Sequence, residues 1–275
     1  MYSWLVREND IKLIDFISSK LSLSKSKAKE LIDSRLVFVN NQRVWIAKYL
    51  LKERDVVEFY GNLNEKKEIK ISIIYEDDYI IVANKPPLVV TNESKNSLEE
   101  ALKVFKQNEK IRAVHRLDRE TSGLVIFAKN DEVFEKFKNL WKKKEVKKVY
   151  LAICYGNTKF KEKWINDEID GKPATSFVKL ITSKGGFSYF EIEIITGRKH
   201  QIRKHLASIK HPMVGDKLYG TSHPGIKVLK PIKRHLLHSY KIEFICPFSG
   251  RRISLFCPLP ADFKNFIEKH LSYQT

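Results

Sequence analysis

The chain lacks the features that define several protein classes. Its 275 residues contain no run of about 18 apolar residues, so no membrane-spanning helix is expected. The first residues lack the apolar stretch of a secretion signal. The three cysteines are widely spaced and odd in number, which fits a reducing compartment better than a disulfide framework. We therefore expect a cytoplasmic protein without a membrane partner.

Sequence motifs for bound cofactors are also missing. None of the 11 glycines belongs to a glycine-rich loop of the kind that cradles phosphates. Cys246 and Cys257 do not have the spacing of zinc ligands, and His200 and His205 lack the His-Glu-x-x-His pattern of zinc proteases. We expect no nucleotide, metal or other cofactor, and we expect the cysteines to be core thiols.

Positive charge, in contrast, is abundant. The chain has 51 Lys and Arg against 33 Asp and Glu, a net charge of +18. Hydrophobic residues make up 43% of it, enough for a folded core. A surplus of this size indicates a polyanionic partner, and no basic amphipathic membrane anchor is present. Nucleic acid is therefore the expected partner of a chain that we expect to be a monomer.

Residues 1–60 have a pattern of their own. Apolar residues recur at helical spacing through residues 11–21, and Ser24 is placed to cap a second helix. Residues 37–44 predict a strand, an Asn-Asn turn and a second strand, and residues 55–59 predict a further strand. The pattern predicts a small α/β domain.

This pattern resembles the α-L RNA-binding domain, which is named after ribosomal small-subunit protein 4. The resemblance covers residues 11–59 and rests on the Ser-Lys-Ser-Lys-Ala-Lys-Glu-Leu-Ile helix, the Val-Phe-Val-Asn-Asn hairpin and the Arg-Asp-Val-Val strand. It implies a basic face that contacts RNA phosphates without reading bases. The residues expected on that single face are Lys25, Lys27, Lys29 and Arg35.

The remainder of the chain has a different organisation. Residues 61–70 are polar and aperiodic, which predicts a linker. Strands cluster in residues 71–275 without a regular alternation of strand and helix. We therefore predict an α+β domain with a mixed, largely antiparallel central sheet and flanking helices.

The most informative segment is 115–124, where Asp118 lies among a histidine and two arginines. Neighbouring cations favour the ionised form of a carboxylate. The apolar run 124–128 predicts a strand, and the Thr-Ser-Gly sequence at 121–123 predicts a turn before it. Alone, this segment is most simply explained as a charged surface hairpin, but the motifs that follow it favour a catalytic site.

Residues 73–271 resemble the RluA-type family of RNA pseudouridine synthases. The resemblance rests on an ordered set of motifs, which is far more specific than any one of them. It implies the pseudouridine synthase fold and an isomerase that converts uridine in RNA to pseudouridine without a cofactor. The motifs are His-Arg-Leu-Asp at 115–118, Lys-Val-Tyr-Leu-Ala at 148–152, Thr-Gly-Arg-Lys-His-Gln-Ile-Arg at 196–203 and His-Pro-Met-Val-Gly-Asp at 211–216.

The resemblance also implies roles for individual residues. Asp118 is the expected nucleophile, attacking either the ribose or the uracil ring, because an ionised carboxylate can stabilise or attack the oxocarbenium-like sugar. Arg203 is the expected bidentate partner of Asp118, and Tyr150 is expected to stack on the uracil. Arg116 is expected to fill the space left when the base is extruded. Glu120, the nearby second acid, is expected to be structural.

Large-subunit ribosomal RNA is the first expected substrate, because family members with the α-L domain mostly act on it, and tRNA is the second. A binding protein that assists ribosome assembly is an alternative from another class. The complete set of Asp118, Tyr150 and Arg203 is evidence against it. A glycosidase acting on nucleosides is a weaker alternative, since it requires a second acid and a water site.

Overall fold

The computed structural model of the chain describes residues 2–33, 36–60, 69–220 and 232–272. The chain divides into two compact units, residues 1–67 and 68–275. Arg35 and most of the segment predicted as a linker lie outside the described residues.

The N-terminal unit contains two helices and short strands. Its elements are β1 (Tyr2–Leu5), β2 (Ile11–Lys12), α1 (Leu13–Lys20), α2 (Lys25–Asp33), β3 (Val37–Val39), β4 (Gln42–Arg43), β5 (Leu50–Leu51) and β6 (Val56–Phe59). The strands form an antiparallel sheet in the order β1-β6-β3-β4 and a separate β2-β5 pair. Apolar faces of both helices pack on the sheet, with Leu13, Ile17 and Ile32 fully buried.

Local sequence explains the helix start and the hairpin in this unit. The Ser24 hydroxyl accepts a hydrogen bond from the Lys27 amide at 3.2 Å, as expected of an N-cap. Asn40 and Asn41 adopt φ of 48° and 65°, the left-handed conformation that a tight hairpin turn requires. Strand β1 is not predicted by the sequence pattern, because its stability comes from pairing with β6 at the far end of the unit.

The second unit is built on one large sheet with helices packed against it. Its strands and helices are β7 (Ile73–Glu76), β8 (Ile80–Lys85), α3 (Leu98–Lys106), β9 (Arg112–Ala113), β10 (Ser122–Ala128), α4 (Asp131–Lys142), β11 (Lys147–Tyr155), β12 (Glu162–Ile165), β13 (Ser176–Lys184), β14 (Phe187–Ile194), α5 (Gln201–Ser208), β15 (Leu237–Ile245), β16 (Arg252–Phe256) and α6 (Ala261–His270).

The strands of this sheet follow the order β12-β13-β14-β11-β15-β10-β8-β7, with β16 paired to β15 and β9 paired to β10. Strands β10 and β15 run parallel, and the other strand pairings recorded among the described residues are antiparallel. The prediction of a mixed, largely antiparallel sheet with flanking helices is confirmed.

Strand β10 lies in the middle of the core and is buried on both faces. Val125 and Phe127 point into one hydrophobic cluster, while Leu124 and Ile126 point into another. This explains why the strand is a continuous apolar run instead of an alternating one.

The turn predicted at residues 121–123 is wrong, because Ser122 and Gly123 already belong to β10. Gly123 has φ of 112° and pairs with Ser239 of β15. A β-carbon at this position would lie 2.2 Å from the Ser239 carbonyl oxygen. The glycine is therefore required for the close approach of two strands, not for a turn.

Candidate active site

A cavity of about 290 Å³ opens between the loop before β10 and the start of α5. Asp118, Tyr150 and Arg203, the three residues predicted to carry chemistry, all line it. Asp118 Oδ2 lies 3.6 Å from Arg203 Nη1 and 3.8 Å from His200 Nε2. The volume is near the lower end of ligand sites, roughly 300–1,000 Å³, and suits one base better than several.

Arg203 is buried on α5. Its guanidinium group binds a carboxylate for which the sequence analysis predicted no role. Its Nε and Nη2 donate hydrogen bonds of 2.7 and 2.8 Å to Asp216. The prediction that Arg203 holds Asp118 bidentately is therefore wrong, because Nε and Nη2 bind Asp216 and Nη1 lies 3.6 Å from Asp118 Oδ2. The Asp216 pairing leaves Nη1 to face Asp118 as an ion-pair partner.

Asp216 is itself fixed by the backbone that follows it. One carboxylate oxygen accepts hydrogen bonds from the amides of Leu218 and Tyr219 at 2.9 and 3.0 Å. Burial acts to raise the pKa of Asp216, but the hydrogen bonds from Arg203 and the two amides outweigh it and lower the pKa. Asp216 thus remains a carboxylate that orients the guanidinium.

Tyr150 lies on β11, almost fully buried, where the pairing with β15 is irregular. The register shifts between Val149 and Tyr150 because β15 has one extra residue there, Tyr240, and such bulges are common beside functional sites. Burial, with the negative charge of Asp118 adding to it, raises the pKa of Tyr150 to about 12. The phenol is therefore neutral near pH 7 and able to donate a hydrogen bond.

The loop that carries Asp118 is tied to the segment before β15. Glu120 Oε2 accepts a hydrogen bond from the His235 amide at 3.0 Å and lies 3.1 Å from His235 Nδ1. Contact with the His235 side chain lowers the pKa of Glu120 to about 2. Thr121 Oγ1 also bonds His235 Nε2 at 2.8 Å. Glu120 thus anchors the loop, as a structural residue does.

A buried lysine at the end of β8 supports the same loop. Lys85 Nζ donates to the backbone carbonyls of Pro86, Val89 and Arg119 at 3.0, 2.7 and 3.2 Å. Burial, followed by the charge of Arg234, lowers the pKa of Lys85 to about 7. Sequence analysis missed this residue, because nothing in a Lys-Pro-Pro sequence shows which carbonyl groups will surround the ammonium.

The opposite wall of the cavity contains a stacked pair of rings. The ring of His115 lies 4.3 Å from that of Trp141, and its Nε2 accepts a hydrogen bond from the Ile126 amide. Burial lowers the pKa of His115 to about 3, so the imidazole is neutral. This wall also includes Lys148 of β11.

Arg116 is exposed at the mouth of the cavity and pairs with Glu93 at 3.0 Å. It lines both this cavity and an adjoining cleft of about 780 Å³. Asp118 and Arg203 also line both spaces, so the carboxylate lies at their boundary. Arg198 and Lys199 lie in the cleft as well, and make it basic.

The candidate RNA-binding lysines of α2 are exposed and paired with acids. Lys25 contacts Asp15 at 2.8 Å, and Lys27 and Lys29 contact acids of their own helix, Glu30 and Asp33. For these three lysines, the expectation of one basic face is wrong; Arg35 lies outside the described residues. Residues four apart share a helix face, whereas Lys27 lies two positions from each of the others and points away.

The remaining sequence expectations concern metals, cysteines and membranes. In the parts of the chain that the structure describes, no three His, Cys, Asp or Glu residues are grouped to hold a metal ion. Cys154, Cys246 and Cys257 are buried free thiols in the core. No helix among the described residues is long and apolar enough to cross a membrane.

Similarity to known proteins identifies the family of this chain and the class of enzyme to which it belongs. The chain belongs to the RluA-type RNA pseudouridine synthases: residues 79–208 match the RNA pseudouridylate synthase family, and residues 11–57 match the S4 domain. Its activity is that of an isomerase converting uridine in RNA to pseudouridine.

Curated relatives cover most of the chain. "Uncharacterized RNA pseudouridine synthase YhcT" of Bacillus subtilis (strain 168) is 29% identical over 94% of this chain and 93% of its own length. "Ribosomal large subunit pseudouridine synthase D" of Neisseria meningitidis serogroup A is 33% identical over 72% of this chain and 60% of its own length. The solved structure titled "Human RNA Pseudouridylate Synthase Domain Containing 4" shares the fold, with a TM-score of 0.63 and 20% identity over 74% of this chain and 94% of that one.

Proposed function

We propose that the chain modifies uridines of large-subunit ribosomal RNA in the cytoplasm. The name of the Neisseria meningitidis relative supports this substrate, as does the S4 domain at residues 11–57. In this proposal residues 1–60 add contacts to RNA phosphates, and residues 71–275 carry out catalysis. Lys25, Lys27, Lys29 and Arg35 are the proposed phosphate contacts.

The observation that carries the catalytic proposal is the position of Asp118 at the boundary of the small cavity, beside Arg203 and facing the space lined by Tyr150. Uridine extruded from folded RNA enters this cavity, at a cost of a few kcal/mol for unstacking. Tyr150 stacks on the uracil, and Arg116 at the mouth occupies the space that the base has left.

The reaction then needs one carboxylate and no external reactant. Asp118 attacks the ribose or the uracil ring, the bond between ribose and N1 breaks, and the base turns. A new bond joins the ribose to C5, the bond to Asp118 breaks so that the carboxylate is regenerated, and the C5 proton is released. Arg203, fixed by Asp216, keeps the attacking oxygen oriented throughout.

The test is pseudouridine mapping of total RNA from cells with and without the gene, by carbodiimide treatment and primer extension. We expect discrete stops in large-subunit rRNA to disappear on deletion. Wild-type protein should restore them and the Asp118→Asn variant should not. If stops are lost only from tRNA, the chain is still a pseudouridine synthase, but its substrate is tRNA and not ribosomal RNA. An unchanged pattern in every RNA would support a ribosome-assembly protein instead.

A further inference from the structure

Lys148 is a buried cation in the wall of the catalytic cavity that the mechanism so far does not use. It lies two residues before Tyr150 on β11, only 5% exposed, and lines the same cavity. Neighbouring residues of a strand point to opposite faces. Accordingly Lys147 points away and pairs with Glu193 at 2.8 Å, with nearly half of its side chain exposed.

The surroundings of Lys148 offer its ammonium little compensation. Among the described residues no carboxylate lies within 4 Å and no hydrogen-bond acceptor is recorded; the contact found is the ring of Trp141, 5.4 Å away. Lys85, which is fully buried, donates to three backbone carbonyls. The two lysines therefore differ. The Lys85 ammonium has backbone acceptors within the fold, whereas the Lys148 ammonium faces the cavity.

An ammonium that loses most of its hydration and gains no protein acceptor destabilises a protein, because the lost hydration is not replaced. Burial accordingly lowers the pKa of Lys148. Hydrophobic residues of similar size would fill the same space more stably. A charged group in this setting, inside a catalytic cavity, indicates an acceptor that arrives with the substrate.

We propose that the Lys148 ammonium binds a carbonyl oxygen of the extruded uracil and stabilises the negative charge that develops there during the reaction. The proposal deepens the catalytic roles given above and rests on them. Residues two apart on a strand are separated by roughly 7 Å. At this spacing, a uracil stacked on Tyr150 can present a carbonyl edge to Lys148 within the same cavity.

The chemistry needs such a cation whichever atom Asp118 attacks. If Asp118 attacks the ribose, the electron pair of the C1′–N1 bond stays on uracil and delocalises onto O2 and O4. If Asp118 adds to C6 of the ring, the electron pair of the C5–C6 double bond moves onto O4 as an enolate. Both routes place charge on O4, and a donor preset in a dry site stabilises it without reorganisation.

The experiment compares Lys148→Met with Lys147→Met. Methionine keeps an unbranched side chain of nearly the same length but removes the ammonium that faces Trp141. The control removes a lysine from the same strand on the opposite face. The substrate is total RNA labelled with [5-³H]uridine from cells lacking the gene, and tritium release is followed with enzyme in excess. Thermal unfolding of each variant confirms folding, and binding of the same RNA is titrated separately.

We expect Lys148→Met to slow tritium release by about 10²- to 10³-fold, as for loss of one oxyanion donor. RNA affinity should change less than about threefold, and Lys147→Met should match wild type. A Lys148→Met rate within threefold of the control would overturn the proposal. So would weaker binding with a lower salt dependence and an unchanged rate, since that result would identify a phosphate contact.

A smaller side chain separates charge from packing. Lys148→Ala leaves a space that propylammonium can enter, and we expect this cation to raise the variant's rate at least tenfold over potassium chloride at equal ionic strength. No rescue would overturn the proposal in favour of a packing role. Fractionating the product tests the substrate separately: label lost only from tRNA contradicts the ribosomal proposal and leaves the result on Lys148 intact.

Discussion

The two units of this protein use positive charge in opposite ways. In the N-terminal unit, Lys25, Lys27 and Lys29 are more than half exposed, and their acidic partners are also in water. In the second unit, Lys85 and Arg203 are buried and held in fixed geometry by carbonyl or carboxylate groups.

This difference indicates that the exposed cations contribute to RNA affinity and the buried cations to the reaction rate. Exposed ion pairs contribute about 0–1 kcal/mol and are weakened by salt, so such lysines can exchange a carboxylate for an RNA phosphate at little cost. Buried pairs lose far more when one partner is removed, and their geometry is rigid. We therefore expect substitutions in the first unit to change binding and its salt dependence, and substitutions in the second to change the rate.

The largest effect is expected for Asp118→Asn. Loss of the attacking carboxylate should reduce turnover by at least about 10⁴-fold, as for other catalytic nucleophiles. RNA binding should remain within a few-fold of wild type, because Asp118 is one of many groups at the surface of the cleft. Tritium release and a binding titration on the same RNA measure the two quantities, and near-wild-type turnover would contradict the nucleophile assignment.

The next effect is expected for Asp216→Asn, which leaves Arg203 without its carboxylate partner. A misplaced guanidinium should lower kcat by about 10²-fold with little change in KM. The matched control is Asp170→Asn, which removes the exposed partner of Lys204 on the same helix. Asp216→Glu should recover part of the rate; equal losses for the glutamate and asparagine variants would show that the carboxylate does not orient Arg203.

Lowering the pH should reduce the stability of the second unit more than that of the N-terminal unit. Burial lowers the pKa of His115 to about 3 and of His238 to about 4, so the fold keeps both neutral. The unfolded chain binds these protons below pH 6.5, so stability falls with decreasing pH by up to about 1.4 kcal/mol per unit for each histidine. None of the eight histidines lies in the N-terminal unit.

Hydrogen exchange on the full chain measures this difference. Peptides from β10 and β15 should lose protection between pH 6.5 and about 4, while peptides from α1 and α2 should not. Parallel loss of protection in both units would show that the two histidines do not set the acid response.

The smallest effect is expected for the double variant Lys25→Met and Lys29→Met. Each phosphate contact that is lost should lower the slope of log affinity against log salt by about 0.7–0.9, with kcat unchanged. The matched control is the pair Lys136→Met and Lys138→Met, which removes similarly paired helix lysines from the catalytic unit. An unchanged slope in the first double variant would remove Lys25 and Lys29 from the interface.

The sequence predicted features that depend on local order along the chain. The Ser24 cap, the Asn40-Asn41 turn and the strand nature of β10 follow from neighbouring residues, and the structure contains all three. The motifs also identified Asp118, Tyr150 and Arg203, which line one cavity. Their position in one cavity does not test their catalytic roles, which stay predictions.

The parts that were missed depend on residues distant in sequence. Asp216 accepts hydrogen bonds from the guanidinium of Arg203. The His235 amide donates to Glu120, and Lys85 donates to carbonyl groups of two loops. A local sequence pattern does not show which hydrogen-bond acceptor a side chain will contact in the folded protein. The single basic face was mispredicted for a simpler reason, since spacings of two do not share a helix face.

The link between the Asp118 loop and the segment before β15 has a consequence for how the enzyme is made. Thr121 and Ser122 bond His235 and His238, partners that are 114 and 116 residues later in the chain. Contacts of such long range form slowly, and during synthesis they must wait until the second partner has been translated. When residues 1–200 have emerged from the ribosome, the loop that carries Asp118, the proposed nucleophile, therefore still lacks these contacts. We infer that a truncated product cannot act on the RNA surrounding it.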